Sequence, residues 1–133
     1  MSGVAIIGEL LRGHAPLLAL VPAERIRAGM LPDKVTMPTL LVRHIGGTER
    51  QTLVREEIVR TTERVAVTVR AANYREQRAV IAHARTACAG FVGDIAGLER
   101  VSVLNAGTGP DVIGPAGSFE GTIDFRVSFD GPA

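Results

Sequence analysis

The most regular stretch of the sequence is GSFEGTIDFRVSFD, residues 117–130. One set of alternate positions is apolar or small: Phe119, Gly121, Ile123, Phe125, Val127 and Phe129. The other set is polar: Glu120, Thr122, Asp124, Arg126, Ser128 and Asp130. Successive side chains of a strand point to opposite faces of its sheet, so this alternation predicts a half-buried antiparallel strand. Its solvated face is then available to a partner.

A second stretch, residues 62–71, alternates in the same way. The inward positions are Val65, Val67, Val69 and Ala71, and the outward positions are Arg64, Ala66, Thr68 and Arg70. Branched side chains at every second position favour a strand. We expect this strand to lie beside the strand at 117–130.

The helix with the strongest signals follows directly. Asn73 has the side chain of an N-cap, and Glu76 stands three positions later, as in a capping box. The pattern predicts a helix to about residue 92, whose apolar face is made by Val80, Ile81, Ala84, Ala87, Cys88 and Phe91.

The first part of the chain predicts short helices. Residues 3–12 place apolar side chains at helical spacing, and Gly13 is suited to end that helix. Pro16 fits the first turn of a second helical piece over 16–20, which Pro22 stops.

The remaining segments are shorter. We predict an edge strand at 24–29, a loop at 31–34, a strand at 39–45 closed by Gly46 and Gly47, a strand at 98–105 and a Gly/Pro loop at 107–117. Residues 48–61 are charged and weakly periodic. They form either a long loop or a helical excursion around Leu53 and Ile58, and the sequence does not decide between the two.

The order of these elements is α-β-β-β-α-β-β. It predicts an α+β two-layer sandwich, with a mostly antiparallel sheet and the helices packed on one face. The length of 133 residues suits one domain, residues 1–133.

Composition narrows the function classes. The 15 basic and 14 acidic residues are interspersed and give a formal charge of +1, which argues against DNA wrapping. Cys88 is the single cysteine, so no disulfide forms within the chain. The apolar run at 4–21 is interrupted by Glu9, Arg12 and Pro16, which predicts neither a signal peptide nor a membrane span.

Catalytic interpretations are weak. A Cys88 nucleophile needs an adjacent base, but His83 lies on another face of the same predicted helix, and Cys88 fits the buried apolar face. His14, His44 and His83 lack metal-ligand spacing, so we expect no metal and no cofactor. Glu56 and Glu57 diverge in direction, and residues 107–109 lack the Lys of a phosphate-binding loop. We expect no enzyme activity.

The ordered elements resemble the tail-terminator, or tail-completion, proteins of phages and prophages. The similarity rests on Leu-Ala-Leu-Val at 18–21, on residues 25–32 leading into 37–42, on the strand 65–69 that runs through Asn73 and Tyr74 into a helix, and on residues 121–127. Strands of this family often carry more aromatic side chains than this chain does.

The resemblance implies a structural role without catalysis. Such proteins form a ring, commonly a hexamer, that caps the tail tube, ends its polymerisation and presents a surface to the head-side connector. It implies contacts with further copies, the tube protein and the connector, with DNA passing through the ring without specific binding and with no membrane. Assembly would occur in the bacterial cytoplasm, and the chain would end in the particle's tail. A different neck protein, or a small ligand-binding or enzymatic domain, remains the alternative.

Two regions are candidates for the subunit or tube interface. They are the polar sheet face, with Arg64, Thr68, Arg70, Thr122, Asp124 and Arg126, and the Gly/Pro loop, with Gly107, Thr108, Asp111, Val112 and Ile113. The sheet face is either an interface or simply solvated. Fixing the loop costs on the order of 1 to 2 kcal/mol per residue, so it is either ordered by assembly, in a subunit that is monomeric until then, or an ordinary mobile loop.

Overall fold

A computed structural model describes residues 2–30, 36–50 and 57–132 of the chain. Its helices are α1 (Ser2–Arg12), α2 (Ala15–Leu18) and α3 (Tyr74–Cys88). Its strands are β1 (Ile26–Ala28), β2 (Thr39–Arg50), β3 (Ile58–Ala71), β4 (Val92–Ile95), β5 (Leu98–Thr108), β6 (Val112–Ile113) and β7 (Phe119–Pro132). The chain has the α+β fold that the sequence predicts.

The strands form one mixed sheet in the order β1-β2-β3-β7-β5-β4, with β6 paired to β7. The pairing of β1 with β2 is parallel, and the other pairings are antiparallel. The three helices pack on one face, here called the inner face. The opposite, outer face carries the polar side chains.

The two alternating stretches form the centre of the sheet. β3 and β7 pair without a break from Ile58 opposite Pro132 to Ala71 opposite Phe119. Their inward side chains are buried in the core: Val65, Val67, Val69, Ala71, Ile123, Phe125, Val127 and Phe129. Both the predicted faces and the predicted pairing are confirmed. Ala66 and Arg70 are outward but also buried.

Helix α3 is capped as predicted and packs closely on β7. The Asn73 side chain accepts a hydrogen bond from the Glu76 backbone N–H at 2.8 Å, and Glu76 Oε1 accepts one from the Ala72 N–H at 3.2 Å. Gly121 makes the close approach possible, since a Cβ there would lie 2.8 Å from Gln77 Nε2. The helix ends at Cys88 rather than near residue 92, and β4 follows within four residues.

Helix α1 is anchored at its first turn by a buried carboxylate. Glu63, on the inner face of β3, accepts a hydrogen bond from the Gly3 N–H at 2.6 Å. Gly3 leaves the room for this contact, since a Cβ would lie 2.8 Å from Glu63 Oε1 and 2.9 Å from Val65 Cγ2. A carboxylate also complements the positive end of the helix dipole. Ile6, Ile7 and Leu11 then enter the core.

The predicted end of β2 and the predicted start of β3 are wrong. β2 does not stop at Gly46 and Gly47 but continues to Arg50, with a register shift between His44 and Gly46 that accommodates the extra residue. The undecided segment 48–61 contributes residues 48–50 to β2 and residues 58–61 to β3, so these seven residues are neither loop nor helix. Leu53 and the rest of 51–56 lie outside the described residues, as does the predicted loop at 31–34.

Candidate protein-interaction site

The six predicted sheet-face residues lie together on the outer face of β3 and β7. Thr68 stands directly opposite Thr122, Arg64 opposite Arg126, and Arg70 opposite Glu120, while Asp124 faces Ala66. The alternation of the two strands puts them on one surface, as the sequence predicts. Their use in an interface remains a prediction.

Most of these side chains bind one another across the strands. Arg64 forms an ion pair with Asp124 at 2.7 Å, and Arg70 forms one with Glu120 at 3.2 Å. The hydroxyls of Thr68 and Thr122 are 3.1 Å apart. The same ladder continues with Thr62 and Ser128 at 3.0 Å and with Arg60 and Asp130 at 3.1 Å. Many polar side chains of the outer face are therefore already paired with one another before any partner binds.

Arg126 is the exception in this ladder. Its side chain is exposed and forms no ion pair with any residue that the structure describes. Arg64 stands opposite it on β3, and the carboxylate of Asp124 is already paired with Arg64. On its other side Arg126 faces Leu104 of β5, which is 57% exposed. A free guanidinium thus lies beside an exposed apolar side chain.

A shallow groove opens at this position. It has a volume of about 230 Å³, and we call it the Arg126 groove. Its lining residues are Gly46, Gly47, Thr48, Thr62, Glu63, Arg64, Ala106 and Arg126. It crosses β2, β3, β7 and β5, so it lies over the middle of the sheet. The register shift of β2 at His44 to Gly46 forms one wall, which sequence periodicity did not predict.

Charges are less evenly mixed on the folded surface than along the chain. The register of β2 brings Arg43 and Arg50 to the outer face, opposite Ala66 and Arg60. This face of β2, β3 and β7 therefore carries six arginines, Arg43, Arg50, Arg60, Arg64, Arg70 and Arg126, against three carboxylates, Glu120, Asp124 and Asp130. The excess of positive charge is local, and the formal charge of the whole chain stays at +1.

The predicted loop residues follow the edge of β7. Gly107 and Thr108 belong to the end of β5, opposite Asp124 and Ile123, so they adjoin the outer-face residues. Val112 and Ile113 form β6, opposite Glu120 and Phe119, and are 51% and 65% exposed.

This segment makes contacts within the chain that neither alternative for the predicted Gly/Pro loop included. Asp111 accepts a hydrogen bond from the buried Gln77 side chain at 3.1 Å. The Gly109 N–H donates to the Thr122 carbonyl at 2.9 Å, and the Gly114 N–H donates to the Ser118 carbonyl at 2.8 Å. Backbone pairing and one buried amide therefore offset part of the cost of ordering it.

Two edges of the sheet are open in the described part of the chain. β1 covers only residues 40–42 of β2, and residues 43–50 pair with β3 alone. At the other side β4 is the last strand, and its Val92 is 79% exposed. Open edges present unpaired backbone donors and acceptors to other chains.

Cys88, weighed above as a nucleophile, is fully buried and unpaired. Burial raises the pKa of the Cys88 thiol to about 12, so the thiol is protonated at neutral pH. His83 contacts His14 instead, with ring centroids 6.1 Å apart, and His44 lies 3.4 Å from Glu63. The contact of His44 with Glu63 joins two strands, β2 and β3, so the alternation within each strand did not predict it.

Two absences apply to the described residues. Within them, no group of three or more His, Cys, Asp or Glu side chains is placed to hold a metal ion. No helix among residues 2–30, 36–50 and 57–132 has the length and apolarity needed to cross a membrane.

The fold defines a two-layer α+β domain, and its shape matches a chain of known structure. That chain comes from the virion of a native gene transfer agent particle, with a TM-score of 0.72 and 15% sequence identity. The match covers 96% of this chain and 94% of that chain. Models of known protein families give no match, and curated protein sequences give none. The similarity is one of fold.

Proposed function

We propose that this chain is a structural protein of a phage-like particle and that it acts as a tail terminator. The observation that carries the proposal is the fold similarity to a gene transfer agent virion chain, which extends over 96% of this chain and 94% of the other. A separate observation is the sequence resemblance to tail terminators, which rests on ordered pieces between residues 18 and 127. A particle role and a tail role therefore agree.

The open sheet edges support assembly into a ring. Residues 43–50 of β2 lie at one side of the sheet and β4 at the other. Two copies that meet through these opposite edges associate head to tail, and head-to-tail contacts with a constant rotation close a ring. In this proposal the ring, a hexamer, caps the tail tube, stops its growth and binds the connector on the head side.

The proposed role involves no catalysis and no specific DNA binding. Cys88 is a buried thiol whose raised pKa keeps it protonated. Carboxylates interrupt the outer face along β7 at Glu120, Asp124 and Asp130. A continuous phosphate backbone laid along β7 would meet these negative charges, which disfavours tight binding of DNA in passage.

Deletion of the gene in a particle-producing strain tests the proposal. We expect tails longer than normal and free of heads in electron micrographs, because the tube has lost its stop. Complementation with the intact gene restores normal length. Particles of normal tail length with heads attached would contradict any role in the tail. Tails of normal length without heads would instead assign the chain to the head–tail connector.

Electron microscopy of the purified protein, alone and mixed with the purified tube protein, tests the ring itself. We expect rings in at least the mixed sample, since a subunit that is monomeric before assembly closes a ring at the tube end. Tubes that remain uncapped and continue to elongate in the presence of the protein would contradict termination.

A further inference from the structure

We infer that the Arg126 groove is a docking site for an acidic segment of a protein partner, one that presents a carboxylate next to an apolar side chain. This inference rests on the proposed function for one point only, that the partner is a protein of the same particle. The groove itself is argued from its charges and its exposed surface.

Charges are unevenly paired across β3 and β7. Arg60, Arg64 and Arg70 each bind one carboxylate of β7, namely Asp130, Asp124 and Glu120. All three carboxylates of β7 are therefore paired with other arginines, and Arg126 faces a second arginine, Arg64, across the strands. Like charges directly opposite one another on a sheet are unfavourable. A carboxylate supplied from outside would remove this imbalance.

The surface beside Arg126 is also suited to a protein partner. Leu104 is the neighbour of Arg126 on β5 and is 57% exposed. Arg together with an exposed aliphatic side chain is typical of protein interfaces, where the guanidinium binds a carboxylate in a bidentate way and the apolar contact excludes water. Thr48 lines the same groove, and its hydroxyl can donate to the second carboxylate oxygen.

The surroundings of Arg126 favour a protein over a nucleic acid as the partner. Asp124 lies two positions from Arg126 on the same face of β7 and would repel the neighbouring phosphates of a DNA strand. The groove residues include no aromatic side chain on which a base could stack. One carboxylate with an apolar neighbour fits this surface better than a row of phosphates.

The test uses a defined probe and nuclear magnetic resonance. A blocked hexapeptide of alternating Glu and Leu is titrated into the isotope-labelled protein, with a hexapeptide of alternating Gln and Leu as the matched peptide. We expect amide shift changes confined to residues 46–48, 62–64, 104–106 and 126, and binding of the Gln peptide weaker by about tenfold or more.

Two variants locate the charge that binds. Arg126→Gln is expected to weaken binding of the Glu peptide about tenfold, whereas Arg75→Gln, which removes the same charge from the exposed start of α3, leaves it unchanged. Equal losses in both variants, or shifts spread over the whole surface, would show general attraction and overturn the site. Tighter binding of a short duplex DNA at the same residues would overturn the protein partner.

The experiment is independent of ring formation. If the groove binds the peptide but the protein does not terminate tails, the proposed function is contradicted and the proposed site still stands. Normal tail termination by the Arg126→Gln variant, together with no peptide binding by the wild type, would remove the site and leave the function.

Discussion

At the scale of single residues, two glycines of β7 leave very different amounts of room for an added side chain. Gly121 and Gly131 are both on β7, but only Gly121 lies under a helix. A Cβ at Gly121 would lie 2.8 Å from both Gln77 Nε2 and Ile81 Cδ1, whereas at Gly131 the nearest atom is 3.6 Å away. The two positions form a matched pair for testing how closely α3 packs on the sheet.

We predict that Gly121→Ala destabilises the protein by about 1 to 3 kcal/mol, the usual cost of overpacking a core. Gly131→Ala is expected to change stability by less than about 0.5 kcal/mol, as an open surface site does. Urea unfolding followed by circular dichroism measures both. Equal stability of the two variants would show that α3 does not approach β7 as described.

Burial of the Cys88 thiol makes a prediction about pH. Its pKa rises from 9.0 to about 12 on folding, so the folded state holds its proton more tightly than the unfolded state. This contribution to stability is complete below pH 9 and is lost as the pH rises from 9 towards 12. The slope is about 1.4 kcal/mol per pH unit for one such group.

Comparison with Cys88→Ala isolates this effect from other groups that titrate at alkaline pH. The variant is expected to lose about 1 kcal/mol at neutral pH through the missing volume. Above pH 9 the stability difference between the wild type and the variant should shrink and then reverse. A constant difference across this range, measured by urea unfolding, would contradict the buried thiol.

At the scale of elements, the two faces of β3 are predicted to respond oppositely to the same charge. Val67 is completely buried, while Thr68 is outward and hydrogen-bonded to Thr122. Val67→Asp buries a carboxylate without a partner and should yield insoluble or unfolded protein. Thr68→Asp should remain soluble with a near-native circular dichroism spectrum. Similar solubility of the two variants would contradict the assigned faces.

The elements that the sequence predicted well are those whose signals are local. The alternation of β3 and β7 and the cap at Asn73 depend on neighbouring side chains, and all three appear as predicted. The predicted β2 is too short, because two adjacent glycines usually end a strand. In the structure a register shift and the pairing of residues 46–50 with residues 60–64 extend it. β6 was missed because its pairing with β7 is a tertiary contact.

The candidate site divides in the same way. Alternation alone placed the six outer-face residues on one surface. It could not show that Asp124 is paired with Arg64 while Arg126 stays free, since a diagonal contact depends on side-chain geometry. It also could not show Leu104, whose exposure beside Arg126 follows from the pairing of β5 with β7. Which side chains pair across a sheet cannot be predicted from the alternation of a single strand.

At the scale of the whole molecule, assembly depends on surfaces that the fold does not need. Val112 and Ile113 are such a surface, because they are 51% and 65% exposed and lie on a short strand at the margin of the sheet. Ile58 has a similar exposure of 59% but lies at the opposite end of the β3–β7 pairing. It therefore serves as a control for loss of an exposed apolar side chain.

We predict that the double variant Val112→Ser, Ile113→Ser melts within a few degrees of the wild type, since exposed positions contribute little to stability. In complemented deletion cells it should nevertheless give overlong or headless tails, because the ring has lost an apolar contact with a neighbour or with the tube. Ile58→Ser should complement normally. Tail lengths in electron micrographs decide the matter, and normal, head-bearing tails from the double variant would exclude β6 from the assembly surface.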